Sequence, residues 1–160
     1  MHKEELLHKI ITVLTADLEA LTEAAKTAHA AATHSECLPD NKYDTTGLEA
    51  SYIAQGQANR AQEIRRSLDK YRNLTLSNFD EETPIRLTAL VTIEADDNSC
   101  RQVFIGPDAG GLKLVYGDME CILITPESPL GRALLGRRCD DEVQIGSETC
   151  LKTYTIVDVA

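Results

Sequence analysis

The spacing of the apolar side chains changes once along this chain, and that change constrains the fold more than any other feature. Over residues 1–72, apolar positions recur every seven residues in two interleaved series. These series are Leu7, Leu14, Leu21 and Ala28, and Ile11, Leu18, Ala25 and Ala32. Beyond Pro84, apolar and polar residues alternate instead. The seven-residue repeat is typical of a coiled coil and the alternation is typical of half-buried β-strands, so the chain of 160 residues combines both.

A second helix is predicted from Thr46 to about Arg72, where the same repeat is interrupted at Gln57. Its apolar positions are Ala50, Ala54, Ala61, Ile64, Leu68 and Tyr71. Each helix is rich in alanine at one end of its apolar stripe and in bulky side chains at the other end. The bulky ends coincide if the two helices run antiparallel. We therefore predict an antiparallel coiled-coil hairpin over residues 1–72.

The tip of this hairpin is predicted at about residues 33–46, because Pro39, Asp40 and Asn41 form a cluster of turn-forming residues there. Each arm of roughly 27 residues is about 40 Å long at a rise of ~1.5 Å per residue. The acidic side chains of the tip therefore lie far from any core.

The second half of the chain is predicted to form a small antiparallel sheet domain over residues 85–160, joined to the hairpin by a linker at residues 73–84. Its strands are predicted at Ile85–Glu94, Cys100–Ile105, Leu112–Tyr116, Met119–Ile124, Asp141–Ile145 and Leu151–Val159. The glycine-rich segment Gly106–Gly111 lacks the lysine of a phosphate-binding loop, and no helix follows it. We interpret this segment as a hairpin turn.

One short helix interrupts the strands. Ser128 suits its N-cap and Pro129 suits its first helical position. Gly136 is placed to end it. The predicted fold class is therefore α+β, with a helical hairpin followed by a small antiparallel sheet that carries one short helix.

Composition limits the classes of function. Twenty-six acidic and 16 basic residues give a net charge of −10, which disfavours free nucleic acid as the primary partner but allows a protein partner with a basic channel. No apolar run approaches the roughly 20 residues that cross a bilayer, and the N-terminus lacks the apolar stretch of a signal peptide, so we expect a cytoplasmic protein without membrane contact. Five cysteines without a C-x-x-C pair fit a reduced compartment, and we interpret them as buried or incidental thiols.

Three features occur together near the C-terminus. They are the run SPLGRALLG at Ser128–Gly136, the acidic pair Asp140–Asp141 followed by a strand, and the closing strand Tyr154–Val159. In this order they resemble the C-terminal domain of bacterial Gre transcript-cleavage factors. The resemblance implies that the sheet domain is FKBP-like, and the predicted hairpin, the length and the acidity of the chain match the same family.

The resemblance also implies a function. Gre factors insert their coiled coil into the secondary channel of RNA polymerase, where two carboxylates of the tip help to hold a second Mg²⁺ and position a water. The polymerase active site then cleaves backtracked RNA. By resemblance, this chain is an accessory factor rather than an enzyme, shares Mg²⁺ with the polymerase, contacts nascent RNA within the complex, and acts as a monomer.

The tip of the Gre family reads roughly D-x-x-E-N-A-E-Y, and residues 36–43, ECLPDNKY, stand in its place. The pair Asp40–Asn41 resembles the E-N pair of the family, and Tyr43 resembles its tyrosine. The resemblance thus assigns the catalytic and metal-binding roles to Asp40 and Asp44, with Glu36 as a third acid. Asn41 and Tyr43 are assigned to the contact with the partner.

Lys42 stands where the family has an acid, and some family members with an altered tip bind polymerase without stimulating cleavage. A non-cleaving modulator or inhibitor in the same channel is therefore the alternative function, and a coiled-coil adaptor unrelated to polymerase is a third. The tip acids also fit a solvated loop, with Asp44, Thr45 or Thr46 as the N-cap of the second helix.

Two basic groups remain as candidate partner contacts. The second helix is locally basic through Arg60, Arg65, Arg66, Lys70 and Arg72, which fit either a solvated face with partners such as Glu63 or a contact with RNA or polymerase. Arg132 lies beside Ser128 and Pro129 in the short helix. These three residues fit either stabilisation of that helix or docking of the domain at the channel entrance.

Overall fold

The computed structural model describes residues 3–33, 46–116, 119–147 and 150–160. Two long helices precede a six-stranded sheet, and a short helix lies between the fourth and fifth strands. The elements are α1 (Lys3–Thr33), α2 (Thr46–Arg72), β1 (Leu90–Ala95), β2 (Cys100–Ile105), β3 (Lys113–Tyr116), β4 (Met119–Ile124), α3 (Pro129–Leu134), β5 (Glu142–Ser147) and β6 (Cys150–Val159). The α+β class and the order of elements are confirmed.

The chain divides into two compact units. One consists of residues 1–10 with residues 70–160, and the other consists of residues 11–69. The first turns of α1 and the last residues of α2 thus belong to the same unit as the sheet. The domain limits derived from the sequence, at residues 72 and 84, stay a prediction.

In the helical unit, the buried and half-buried positions follow the predicted apolar stripes. Leu14 is buried on α1, and Ala54, Ala61, Ile64 and Leu68 are buried on α2. The half-buried positions that continue the stripe of α1 are Leu18, Leu21, Ala25 and Ala28. The second half of α1 and mainly the first half of α2 line one groove, as expected for antiparallel helices.

The sheet has the strand order β3-β4-β2-β1-β6-β5 and is mixed rather than wholly antiparallel. Strands β2 and β4 pair in parallel, with Gln102 opposite Cys121, while the other neighbouring pairs are antiparallel. The predicted hairpin turn at Gly106–Gly111 is therefore wrong. This segment crosses over the end of β4, where Gly106 N donates to Ile124 O at 2.9 Å and Gly111 N donates to Leu123 O at 2.8 Å.

The first strand begins at Leu90, five residues later than Ile85, where the alternating pattern placed its start. Thr88 interrupts the extended backbone because its φ is +75°. That conformation lets its backbone N–H donate to Ile105 O at 2.8 Å, while its hydroxyl accepts from Ser77 N at 3.0 Å. The alternation of apolar and polar residues therefore continues across the backbone bend at Thr88, and no local sequence signal predicts that bend.

Both faces of the sheet are buried. One face forms a core that α3 joins through Leu134, and its other members are Ile85, Ala89, Val91, Ile93, Val103, Ile105, Ile124, Val143, Ile156 and Val159. The opposite face buries Leu90, Phe104, Leu114, Cys121 and Leu123. Within the same unit, the ends of the long helices supply the buried side chains of Leu6, Ile10 and Tyr71.

Residues 73–84 contain no helix or strand but are tied to the sheet unit. The ammonium group of Lys3 donates to the backbone oxygen of Ser77 and lies 4.5 Å from the centroid of the Phe79 ring. The Arg86 guanidinium lies 5.5 Å from the same centroid. These cation–π contacts connect the start of α1, the predicted linker and the segment before β1.

The short helix α3 forms as its capping residues predict. The hydroxyl of Ser128 accepts a hydrogen bond from Gly131 N at 3.0 Å and donates to Thr125 O at 2.8 Å. Pro129 occupies the first position, and Gly136 follows the helix with a φ of +78°. A Cβ at Gly131 would lie 2.0 Å from Thr125 O, so only glycine fits there.

We expect Ser128→Ala to lower the free energy of unfolding by about 1 kcal/mol, the usual loss when an N-cap hydroxyl is removed. Gly131→Ala should cost more, because the added methyl group meets a backbone oxygen. Urea unfolding followed by circular dichroism measures both, with the exposed neighbour Glu127→Ala as control. Equal stability of Ser128→Ala and the control would show that the cap contributes nothing.

Candidate functional site

The predicted site residues fall in three places along the chain. Glu36, Asp40, Asn41, Tyr43 and Asp44 lie outside the described residues. Their assignment to catalysis, metal binding and partner contact therefore stays a prediction. The other two groups, on α2 and α3, are described.

The three predicted arginines of α2 are exposed. The buried Ala61 and Ile64 lie between Arg60 and Arg65, so the three cations do not form one line along the helix. The Arg60 guanidinium lies 2.9 Å from the Glu63 carboxylate, and both side chains are exposed. A pair of this kind contributes little to stability, so it leaves Arg60 available to a stronger anionic partner.

A groove of about 520 Å³ runs between the two helices of the helical unit. Its lining combines small or polar side chains with three basic ones, Lys26, His29 and Arg65. The alanines that line it are Ala25, Ala54, Ala58 and Ala61. Lys26 also pairs with Glu23 at 2.8 Å. The alanine-rich part of the predicted stripes thus leaves an open, locally basic channel on the surface of the helix pair.

On α3, the three predicted contact residues differ in what they offer to a partner. The hydroxyl of Ser128 is used within the helix cap, whereas Pro129 and Arg132 are exposed. The turn that follows α3 is fixed by Asp141, whose carboxylate accepts from Arg138 N at 2.9 Å. Ser128 therefore positions this surface, while Pro129 and Arg132 form it.

Three exposed apolar residues near the start of α2 were not predicted as site residues. Leu48, Tyr52 and Ile53 are 55%, 70% and 58% exposed. The only signal in the sequence was that Tyr52 and Ile53 lie outside the apolar stripes. Helix α2 follows the predicted tip in the sequence. It therefore has an exposed apolar surface near its start in addition to the exposed arginines further along.

No group of three or more histidine, cysteine, aspartate or glutamate side chains in the described ranges could hold a metal ion. The cysteines described there are free thiols, with Cys100 exposed, Cys121 buried and Cys139 half-buried. Burial raises the pKa of the Cys121 thiol to about 12. This part of the chain thus contains an inert thiol in the core and a more accessible one at the start of β2.

Comparison with known proteins identifies the class. Residues 81–160 match the family model for the C-terminal domain of the transcription elongation factors GreA and GreB. This match covers half of the chain and contains the whole sheet with α3. The chain belongs to the GreA/GreB family of transcription elongation factors.

Individual relatives are similar over different spans. The transcription elongation factor GreA of Pelobacter propionicus is 25% identical over 130 residues, which are 81% of this chain and 75% of that protein. GreA of Syntrophotalea carbinolica is 39% identical over 64 residues, 40% of this chain and 36% of that protein. The crystal structure of GreA factor homolog 1 (Gfh1) of Thermus thermophilus has 23% identity and a TM-score of 0.39, and the match covers 94% of each chain.

Among the described helices, none has both the length and the apolar character that crossing a membrane requires.

We expect Cys100 to react with iodoacetamide at pH 8 more than about 100-fold faster than Cys121, because the thiolate is the nucleophile and burial keeps Cys121 protonated and covered. Peptide mass spectrometry after timed alkylation measures both sites. In urea the two rates should converge. Similar rates in the native protein would contradict the buried position of Cys121.

Proposed function

We propose that this protein binds RNA polymerase by inserting its helical hairpin into the secondary channel, and that it stimulates cleavage of backtracked transcripts there. The observation that carries the proposal is the family match over residues 81–160. A long helix pair precedes that match, and the segment joining the helices contains Asp40 and Asp44. The protein acts as an accessory factor, and the polymerase supplies the active site.

The chemistry of the tip is that of hard oxygen donors. Carboxylates are ligands that Mg²⁺ prefers, and Mg²⁺ keeps several waters when few protein ligands are present. Asp40 and Asp44 would hold the Mg²⁺ shared with the polymerase, which in a two-metal site stabilises the attacking and leaving oxygens. Glu36 serves as a third acid that accepts a hydrogen bond from the attacking water and orients it.

Contacts with the partner follow from the charges along the chain. The protein has a net charge of −10, so the exposed Arg60, Arg65 and Arg66 form a local exception on α2. They attract the phosphates of nascent RNA or acidic residues of the polymerase. Asn41 and Tyr43 contact the polymerase at the tip.

The surface of α3 supports a second contact, at the entrance of the channel. Pro129 and Arg132 are exposed, and Ser128 holds the first turn of the helix that presents them. The residues that hold the partner therefore belong to a different part of the sequence from the tip acids that act on the transcript. The protein binds as a monomer in the cytoplasm.

A non-cleaving modulator that occupies the same channel is the alternative. One sequence feature favours it, since Lys42 stands beside Asp40 and Asp44 where the family has an acid. A cation at this position repels Mg²⁺ and competes with it for the neighbouring carboxylates.

RNA cleavage in purified, backtracked polymerase complexes separates the two functions. The protein is added with Mg²⁺, and an established GreA protein is tested in parallel. Faster cleavage supports the proposal. No acceleration, combined with competition against GreA for the polymerase, supports the modulator, and the lack of both overturns the polymerase proposal.

The double variant Asp40→Ala/Asp44→Ala should lower the stimulated cleavage rate by at least about 100-fold, because it removes both metal ligands. Its affinity for polymerase, measured by competition, should change by less than about threefold, because the proposed partner contacts on α2 and α3 are unchanged. Asp17→Ala/Glu19→Ala removes the same charge from an exposed part of α1 and should retain full cleavage. Full cleavage by the tip variant would overturn the assignment of these acids.

The double variant Arg65→Gln/Arg66→Gln should weaken polymerase binding by about three- to tenfold at low salt, and the difference should shrink as salt screens the charges. Competition binding at several salt concentrations measures this effect. Arg101→Gln/Lys152→Gln removes two exposed cations from the sheet and serves as the matched control. Equal losses in both variants would point to net charge rather than to a contact made by α2.

A further inference from the structure

The groove between α1 and α2 lies entirely within the helical unit of residues 11–69. Its described lining comes from residues 22–29 of α1 and residues 51–65 of α2. The part of α2 that lines it is about 21 Å long at a rise of ~1.5 Å per residue. A surface of this length suits a partner that contacts several helical turns at once.

The charge of the groove is opposite to that of the protein. Lys26, His29 and Arg65 line it, and none of the described lining residues is acidic. The chain as a whole has a net charge of −10. Lys26 pairs with Glu23, but both side chains are exposed, and a pair of this kind is weak in water. The lining therefore favours a partner that brings acidic groups to the groove.

Alanine side chains form the floor of the groove. Ala54 and Ala61 are buried, Ala25 is half-buried and Ala58 is exposed. Their methyl groups leave about 520 Å³ between the helices that the protein itself does not fill. The distance between two packed helices depends on the side chains at the contact, so alanine lets another helix approach closely. Larger apolar side chains of a partner can then fill the groove, as knobs fill the holes of a coiled coil.

The backbone and the composition of the groove select the class of partner. An extended peptide binds by pairing with the edge of a sheet, whereas α1 and α2 use their backbone groups within each helix. Single-stranded nucleic acid stacks its bases on aromatic side chains, and no described residue of the lining is aromatic. A helix requires neither feature, and a pair of helices accepts another helix as in a helix bundle.

We propose that this groove is the docking site of an amphipathic α-helix from a partner protein, with bulky apolar side chains in one stripe and aspartate or glutamate beside that stripe. The apolar side chains contact Ala25, Ala54 and Ala58, and the acidic ones pair with Lys26 and Arg65. This inference goes beyond the proposed function. It is tested without polymerase, so the failure of either proposal leaves the other standing.

The probe is a synthetic peptide of about 21 residues, which is long enough to form a helix. It has leucine at positions a and d of each heptad and glutamate at positions e and g. A second peptide keeps the leucines and has lysine in place of every glutamate. Like charges at e and g disfavour pairing of each peptide with itself. Fluorescence anisotropy of a terminal label measures the binding of each peptide to the full chain.

We expect the glutamate peptide to bind at least about tenfold more tightly than the lysine peptide at low salt, and the difference should shrink as salt is raised. Equal affinities would mean that the leucine stripe alone drives binding and that the cations of the groove play no part, which would overturn the proposal. A lack of binding by both peptides would overturn it as well.

The double variant Lys26→Glu/Arg65→Glu reverses the charge of the groove and should exchange the preference, so that the lysine peptide binds more tightly. Arg101→Glu/Lys152→Glu makes the same change in net charge at exposed positions of the sheet unit and should retain the wild-type preference. The same exchange in both variants would mean that net charge and not the groove selects the peptide, against the proposal.

Ala58→Gln fills the groove without changing its charge. Ala58 is an exposed position of α2 and glutamine is a good helix former, so this variant retains the fold. Its affinity for the glutamate peptide should fall at least about fivefold. Ala24→Gln makes the same exchange at an exposed position of α1 outside the lining and should bind as wild type. An unchanged affinity in Ala58→Gln would place the peptide elsewhere and overturn the proposal.

Amide chemical shifts locate the bound peptide and separate it from other occupants. Saturation with the glutamate peptide should shift the resonances of Ala25, Ala54 and Ala58 and leave those of the strands unchanged. A single-stranded RNA of about ten nucleotides is the competing probe. Tighter binding of that RNA to the same residues, or a dimer of the protein that Lys26→Glu/Arg65→Glu disperses, would identify a different occupant and overturn the proposal.

Discussion

Burial of both faces of the six-stranded sheet is the constraint on which the rest of this structure depends. One face is closed by its own short helix through Leu134, but the other exposes Leu90, Phe104 and Leu123 unless something covers it. Leaving three such side chains in water costs several kcal/mol, at about 1.5–3 kcal/mol for each. The sheet unit includes residues 1–10 and the residues from 70 onward, and Leu6, Ile10 and Tyr71 are buried within the protein.

Local sequence signals predicted the elements, and tertiary contacts decided how they connect. The strands Cys100–Ile105 and Met119–Ile124 begin and end where their alternation predicts. The cap of α3 also formed as predicted, because Ser128 needs only residues within one turn. The segment Gly106–Gly111 carries the same turn residues for a hairpin as for a crossover, so the parallel pairing of β2 with β4 could not be predicted. The late start of β1 depends on a hydrogen bond between Thr88 and Ile105, again a distant partner.

The side chains discussed as candidate contacts show the same difference between features that local sequence predicts and features that depend on distant contacts. Exposure of the α2 arginines follows from their position outside the apolar stripe, so the sequence was sufficient for it. The bond from Tyr71 to Asp108 was not predictable, since the heptad pattern marks Tyr71 only as another apolar position. The close contact between Gly106 and Tyr71 was also not predictable, because the sequence around Gly106 is that of an ordinary turn.

A design of this kind lets function change without loss of the fold. Residues that bury the sheet and the helix ends cannot change freely, because a large-to-small substitution in a core costs about 2–5 kcal/mol. Exposed residues such as Arg65, Pro129 and Arg132 carry no such penalty, so substitutions there change the surface offered to a partner and leave stability nearly unchanged.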